Sequence, residues 1–257
     1  MTDTEKRCLE ESGFVVLPDF MGADLLRELR DAVEALYAWE GDEAGAEFKQ
    51  EPGCRRLANL ADKGDVFRRI MIDPRLLEYI AVVLGPDFKL SSMNARSVEP
   101  HASSAQPLHA DMGAIADEQG YWVCNSVWLL DDFTPENGPL RIVPGSHRLN
   151  KLPQEVLADV AAPHPDEVLV TGKAGSVVVM NAHAWHGGLA NGTPRPRTAV
   201  HVFYARRDKP QQQYQKQLVR AEVQAALTPR QRHILALDDP HNDAVSAEVA
   251  VRSGFLK

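Results

Sequence analysis

The sequence predicts a mainly β protein with flanking helices, an all-β barrel or sandwich packed between helices, for which the jelly roll is the best-known solution of this size. Two observations carry that expectation. From Phe88 to about Arg206 the chain breaks into short apolar or β-branched runs separated by turn residues. On both sides of this stretch the apolar residues recur with a helical period instead.

The elements follow in order. Residues 13–17 (GFVVL) form a strand-type run closed by Pro18. Leu25, Leu26, Leu29, Val33, Leu36 and Tyr37 recur at spacings of three and four, an apolar stripe opposite charged residues. Asp73-Pro74 starts a second amphipathic helix through Leu76, Leu77, Ile80, Val83 and Leu84, stopped by Gly85-Pro86. Strand runs are expected at 88–98, 106–112, 121–130, 140–143, 167–170, 176–180 and 198–204. Turns at 99–100, 135–138, 144–146 and 191–194 divide them. After Pro210 the helical pattern returns at 214–226 and 228–237, where Thr228 and Pro229 suit the N-cap and first helical positions. No repeat or linker interrupts the chain, so residues 1–257 read as a single domain: a helical part at about 1–87, a jelly-roll core at about 88–207 and a helical tail at about 208–257.

Composition narrows the function. Hydrophobic residues make up 44% and charged residues 25%, as in a globular protein with a real core. A formal net charge of −8, with scattered basic residues, argues against nucleic-acid or anionic-membrane partners. Cys8, Cys54 and Cys124 form no CxxC pair, so neither a zinc ribbon nor a redox dithiol is supported, and free thiols suit a reducing compartment. The N-terminal MTDTEKRCLEESG lacks an apolar stretch, and no signal peptide is expected. A cytoplasmic protein acting on a small molecule, with no membrane partner, is the expectation; oligomeric state is not legible.

The chemistry concentrates in few residues. His109 and Asp111, two apart on the expected strand 106–112, would share a face and reach one metal ion. A third ligand must come from a distant strand, and the segment 181–188 offers His183 and His186. Two imidazoles and one carboxylate on one side of an ion leave positions open, the facial triad of iron(II) oxygenases. HxD alone is weak, since a polar pair at a strand end or a satisfied core histidine is the commoner outcome. Arg197 adds weight. It lies eleven residues after His186, past the turn 191–194, where a hairpin returns its guanidinium beside the metal to clamp a dicarboxylate.

The stretches PLHADMG, SVWLLDDFTPENGPLRIVPGSHR and AWHGGLANGTPRPR, with GFVVLPDF upstream, resemble the phytanoyl-CoA dioxygenase family of iron(II)/2-oxoglutarate oxygenases over residues 13–207. That resemblance implies a double-stranded β-helix (jelly roll, cupin-like) and assigns iron to His109, Asp111 and His186 as the catalytic centre. It places the far carboxylate of 2-oxoglutarate on Arg197. Iron(II), 2-oxoglutarate and O2 would then oxidise an unactivated C–H bond of a small organic molecule, releasing succinate and CO2. Related halogenases lack the carboxylate, so Asp111 implies hydroxylation or another oxidative C–H conversion rather than halogenation. Gln106 resembles a glutamine that contacts 2-oxoglutarate in some relatives, although a regular strand would turn it away from His109. Asn125 is a further cosubstrate candidate, and Asn94 with Arg96 could line the pocket. Trp122 and Trp128 read as core, and His147 as a loop residue bonding backbone. Gly188 stands where some members hold 2-oxoglutarate with a serine, so that contact must come from elsewhere. Specificity is expected in 38–65, 112–120 and the tail after Pro210, with the loop 101–105 at the entrance. The alternative is a non-catalytic metal-binding cupin-like protein.

Overall fold

β-branched and aromatic side chains fill the two faces of extended backbone well. In the computed structural model, which describes residues 1–48, 51–103 and 105–252, they form nine strands. These are β1 (Phe14–Leu17), β2 (Cys54–Leu57), β3 (Phe88–Val98), β4 (Val123–Leu129), β5 (Leu140–Ile142), β6 (Val168–Val170), β7 (Val177–Asn181), β8 (His186–Gly188) and β9 (Arg197–Arg206). The large sheet has the order β1-β7-β4-β9-β3-β2 and the small one β6-β5-β8, and every pairing is antiparallel. Two antiparallel sheets with helices against the large one make the expected jelly roll.

Register decides what each face of the large sheet carries. Trp128, Val177, Val179, Val200, Val202 and Tyr204 point outward into the main core. There they meet the helices α1 (Asp3–Glu11), α2 (Ala23–Glu40), α3 (Leu60–Lys63), α4 (Asp65–Ile70) and α5 (Pro74–Leu84). Trp128 is fully buried, with its indole N–H on Ser126 Oγ at 3.2 Å. The inner face carries Met180, Asn125, Phe203 and Ser92 in one row of partners and Val127, His201 and Asn94 in the next. Arg96 and its cross-strand partner Arg56 follow. A sheet face this polar on one half faces a cavity, because buried polar groups need partners.

Two expectations are corrected. The part at about 1–87, expected as helical apart from the run at 13–17, also holds β2, and β1 and β2 complete both edges of the large sheet. Strand β2 gave no periodic signal, since Arg55 and Arg56 interrupt its apolar residues. The expected helix 214–226 is split into α6 (Gln215–Leu218) and α7 (Ala221–Ala226). Between them Asp62 accepts both the Arg220 N–H and its Nε at 2.8 Å, holding the backbone extended at the N-cap. The tail closes with α8 (Pro229–Ile234), where Thr228 and Gln231 form a capping box, and α9 (Pro240–Arg252). A bulge at Ser91 ties this tail to β3, with the Ser91 oxygens accepting from Gln212 and Gln213.

Among the described residues no helix is long and apolar enough to cross a membrane. Ser104, in the loop expected at the entrance, lies outside the described residues, as do positions 49–50 of the segment 38–65.

Candidate active site

The segment before Asp111 is not the strand expected at 106–112. Pro107 has no N–H to give, and the backbone pairs with β8 only as an isolated bridge. His109 and His186 exchange backbone hydrogen bonds of 2.9 and 3.0 Å, and Gln106 N–H reaches Gly188 O at 2.7 Å. The chain then turns sharply through 111–113, with Met112 at a φ of 57° and the Asp111 N–H on Ala182 O. Ala110, between His109 and Asp111, is extended, so the two share a side even though the segment is not a regular strand.

His109, Asp111 and His186 converge, their candidate ligand atoms all within 4.8 Å of one another. His109 Nε2 lies 3.7 Å from Asp111 Oδ1, and His186 Nε2 lies 3.7 Å from Oδ2. Each imidazole is pinned through Nδ1 to a backbone carbonyl, His109 to Pro107 at 2.9 Å and His186 to Ala184 at 2.8 Å. Those bonds require the proton on Nδ1, which leaves both Nε2 lone pairs facing the carboxylate. Burial alone would raise the Asp111 pKa, but His186 and then His109 outweigh it and hold the carboxyl at about 2. Its Oδ2 is buried without a hydrogen-bond partner. Two aimed lone pairs and an unsatisfied carboxylate oxygen are the donor set that a divalent cation completes.

His183 stands outside this group. Its Nδ1 meets Asn181 Oδ1 at 2.9 Å, Nε2 accepts from Trp122 N–H, and its ring sits against Tyr121 and Trp122. His147 bonds the Glu10 carbonyl through Nε2 at 3.1 Å, the loop-fastening role expected for it.

The three converging residues open onto a cavity of about 200 Å³. Arg197, at the start of β9, lines it as expected and is almost fully buried. Its guanidinium stacks 4.2 Å from the Phe133 ring centroid and donates to the Gly138 carbonyl. Nε has no partner, and among the described residues Arg197 forms no ion pair. Burial, and then the nearby Arg96 charge, push its pKa down to about 9. A buried guanidinium in that state calls for an anion.

Gly138 supports Arg197 and tolerates no side chain. Its φ is +78°, and a Cβ there would come within 2.6 Å of Leu189 O. Gly138→Ala is expected to cost about 1–3 kcal/mol of stability, read by denaturant unfolding, and to disturb the Arg197 contact.

Gln106 faces the cavity, contrary to the regular-strand expectation, because the backbone is irregular at Pro107. Its Oε1 accepts from the Gly188 N–H at 3.0 Å, and its Nε2 reaches Glu51 at 3.1 Å. A Cβ at Gly188 would lie 3.2 Å from that Oε1, so the Gln106 amide occupies the space a serine side chain would need. Asn94, Arg96 and Asn125 line the cavity too, and the Oδ1 atoms of both asparagines are buried without partners.

Sequence reasoning missed Glu51, Arg56 and His201. His201 was within reach, since it lies four residues after Arg197 on the same face of β9. Burial and then the Arg96 charge push its pKa well below the usual imidazole range, and its Nε2 has no partner. Glu51 and Arg56 come from a segment whose pattern announced no element.

The chain is similar to known proteins over most of its length. The family model for phytanoyl-CoA dioxygenase (PhyH) matches residues 9–199. The chain is 28% identical over 229 residues to an ectoine dioxygenase of Halomonas elongata, covering 77% of this chain and 68% of that protein. It is 27% identical over 244 residues to dioxygenase af480 of Aspergillus fumigatus, covering 89% and 75%. Among solved structures, HygX from Streptomyces hygroscopicus with nickel and 2-oxoglutarate bound superposes with a TM-score of 0.68 at 21% identity, covering 82% of this chain and 89% of that one.

Proposed function

This chain belongs to the phytanoyl-CoA dioxygenase family, and from that premise we propose which of its residues carry the reaction. The protein is an iron(II)- and 2-oxoglutarate-dependent dioxygenase acting on a small organic molecule. We assign iron to His109, Asp111 and His186. The observation that carries this is the pinning of both Nδ1 atoms to backbone carbonyls, which aims both Nε2 lone pairs at one point beside Asp111.

Iron(II) and its cosubstrate, when bound, would supply the oxidising chemistry by which O2, 2-oxoglutarate and a C–H bond of the substrate give succinate, CO2 and the oxidised product. The protein's share is positioning. Arg197 takes the far carboxylate of 2-oxoglutarate as a fixed fork, and Phe133 beneath it keeps water off. Gln106 and Asn125 are placed to hydrogen-bond the cosubstrate or its neighbour in the cavity. Asp111 fills the position that halogenases leave to chloride, so the outcome is hydroxylation or another oxidative C–H conversion and not halogenation. The free thiols of Cys8, Cys54 and Cys124 fit a cytoplasmic setting.

A structural zinc site usually closes four protein ligands, whereas three residues converge here among those described. The test is succinate formation with iron(II), ascorbate and 2-oxoglutarate. Iron-dependent succinate above a metal-free control is expected even without the physiological substrate. Its absence would return the protein to the class of non-catalytic metal binders.

A further inference from the structure

Five ionisable acids and guanidinium groups line the cavity, and they do not balance. Arg56, Arg96 and Arg197 face Glu51 and Asp111, leaving one positive charge over. The imidazoles of His109 and His186 are neutral as metal ligands, and His201 is buried with no partner at Nε2. Iron(II) and the 2-oxoglutarate dianion cancel one another, so loading the site does not remove the excess. A buried charge without a counter-charge is costly, and the missing partner must arrive with the substrate.

The hydrogen bonds say where. Arg56 and Arg96 are direct partners across β2 and β3, which sets two guanidinium groups side by side. Both draw on the same Glu51 Oε2, Arg96 through a short bond and Arg56 at 3.3 Å, while Gln106 takes Oε1. One carboxylate therefore serves two guanidinium groups. Arg56 is 8% exposed, sits 5.0 Å from the Phe48 ring centroid, and its Nε has no partner. Burial, and then repulsion from Arg96, lower its pKa.

We propose that the substrate carries a carboxylate, received by Arg56 beside Arg96 on the β2–β3 side of the cavity. This rests on the reading that Arg197 is taken by 2-oxoglutarate. The planar fork of Arg56 matches a carboxylate, and Asn94 Oδ1 in the adjoining row, buried and unpartnered, offers an acceptor to a donor elsewhere on the molecule. Glu51 holds the place of that carboxylate in part, and a bound acid would share or displace its contacts.

The test uses protein loaded with zinc(II) and 2-oxoglutarate, and calorimetric titration with butanoic, pentanoic and hexanoic acids and their primary amides. Acids are expected to bind at least about tenfold more tightly than the matching amides, as charge pairing at a buried site requires. Arg56→Gln should abolish that preference while 2-oxoglutarate affinity stays within about twofold. Glu51→Gln should move the other way and tighten acid binding, because it removes the competing carboxylate; a merely structural role for the cluster would weaken it. Equal binding of acids and amides would overturn the proposal. So would loss of 2-oxoglutarate binding in Arg56→Gln, since the cluster would then belong to the cosubstrate. If instead Arg197→Lys leaves 2-oxoglutarate binding intact, the underlying assignment fails while the acid–amide comparison still stands by itself.

Discussion

His186→Ala abolishes iron(II) binding, whereas His183→Ala leaves it within about threefold, and anaerobic titration of each variant with iron(II) reads the difference. The contrast follows from where each imidazole spends its nitrogens. His186 gives Nδ1 to the Ala184 carbonyl and keeps Nε2 free, 3.7 Å from Asp111. His183 has both nitrogens engaged, one by Asn181 and one by the Trp122 N–H. Losing an orienting partner of a ligand already costs about 10–100-fold in metal affinity, so losing the ligand itself should cost more than about a hundredfold. His183→Ala opens a cavity between Tyr121 and Trp122 and should lower stability instead. Retained iron binding in His186→Ala together with loss in His183→Ala would remove His186 from the centre.

Arg197→Lys raises the 2-oxoglutarate dissociation constant on the order of a hundredfold and leaves iron(II) affinity unchanged. Lysine keeps the charge but not the fork, and it cannot span from Phe133 and the Gly138 carbonyl to a bidentate carboxylate. Disturbing a buried, hydrogen-bonded charge pair costs roughly 2–5 kcal/mol, and the hundredfold figure sits in that range. The ammonium must also be buried where Arg96 already makes positive charge unwelcome. A cosubstrate affinity unmoved by the substitution, measured by titration of the metal-loaded protein, would take Arg197 out of the site.

Much of the site could be read from the chain, though the regular strand expected at 106–112 is absent. HxD followed by a distant histidine and an arginine eleven residues later is a spacing signal, and the structure brings His109, Asp111, His186 and Arg197 to one cavity. The shared face of His109 and Asp111 holds across the extended Ala110, and a tight turn at 111–113 follows. A separate irregularity, at Pro107, brings Gln106 to the cavity when parity would exclude it. Turns such as that at 111–113 depend on one or two hydrogen bonds to distant backbone, here Ala182 O, and leave no period in the sequence.

The sequence by itself determined a β core with flanking helices and, through the family it resembles, the candidates for iron and 2-oxoglutarate. The core rests on period and turn chemistry and the candidates on motifs, all of which are local. Only the tertiary structure decided how the rest of the cavity is charged. Arg56 and Glu51 come from a stretch with no periodic pattern, and they matter because β2 pairs with β3 and sets Arg56 beside Arg96. Whether a charge is balanced depends on which distant segments meet in a place without water, and that pairing is a property of the fold.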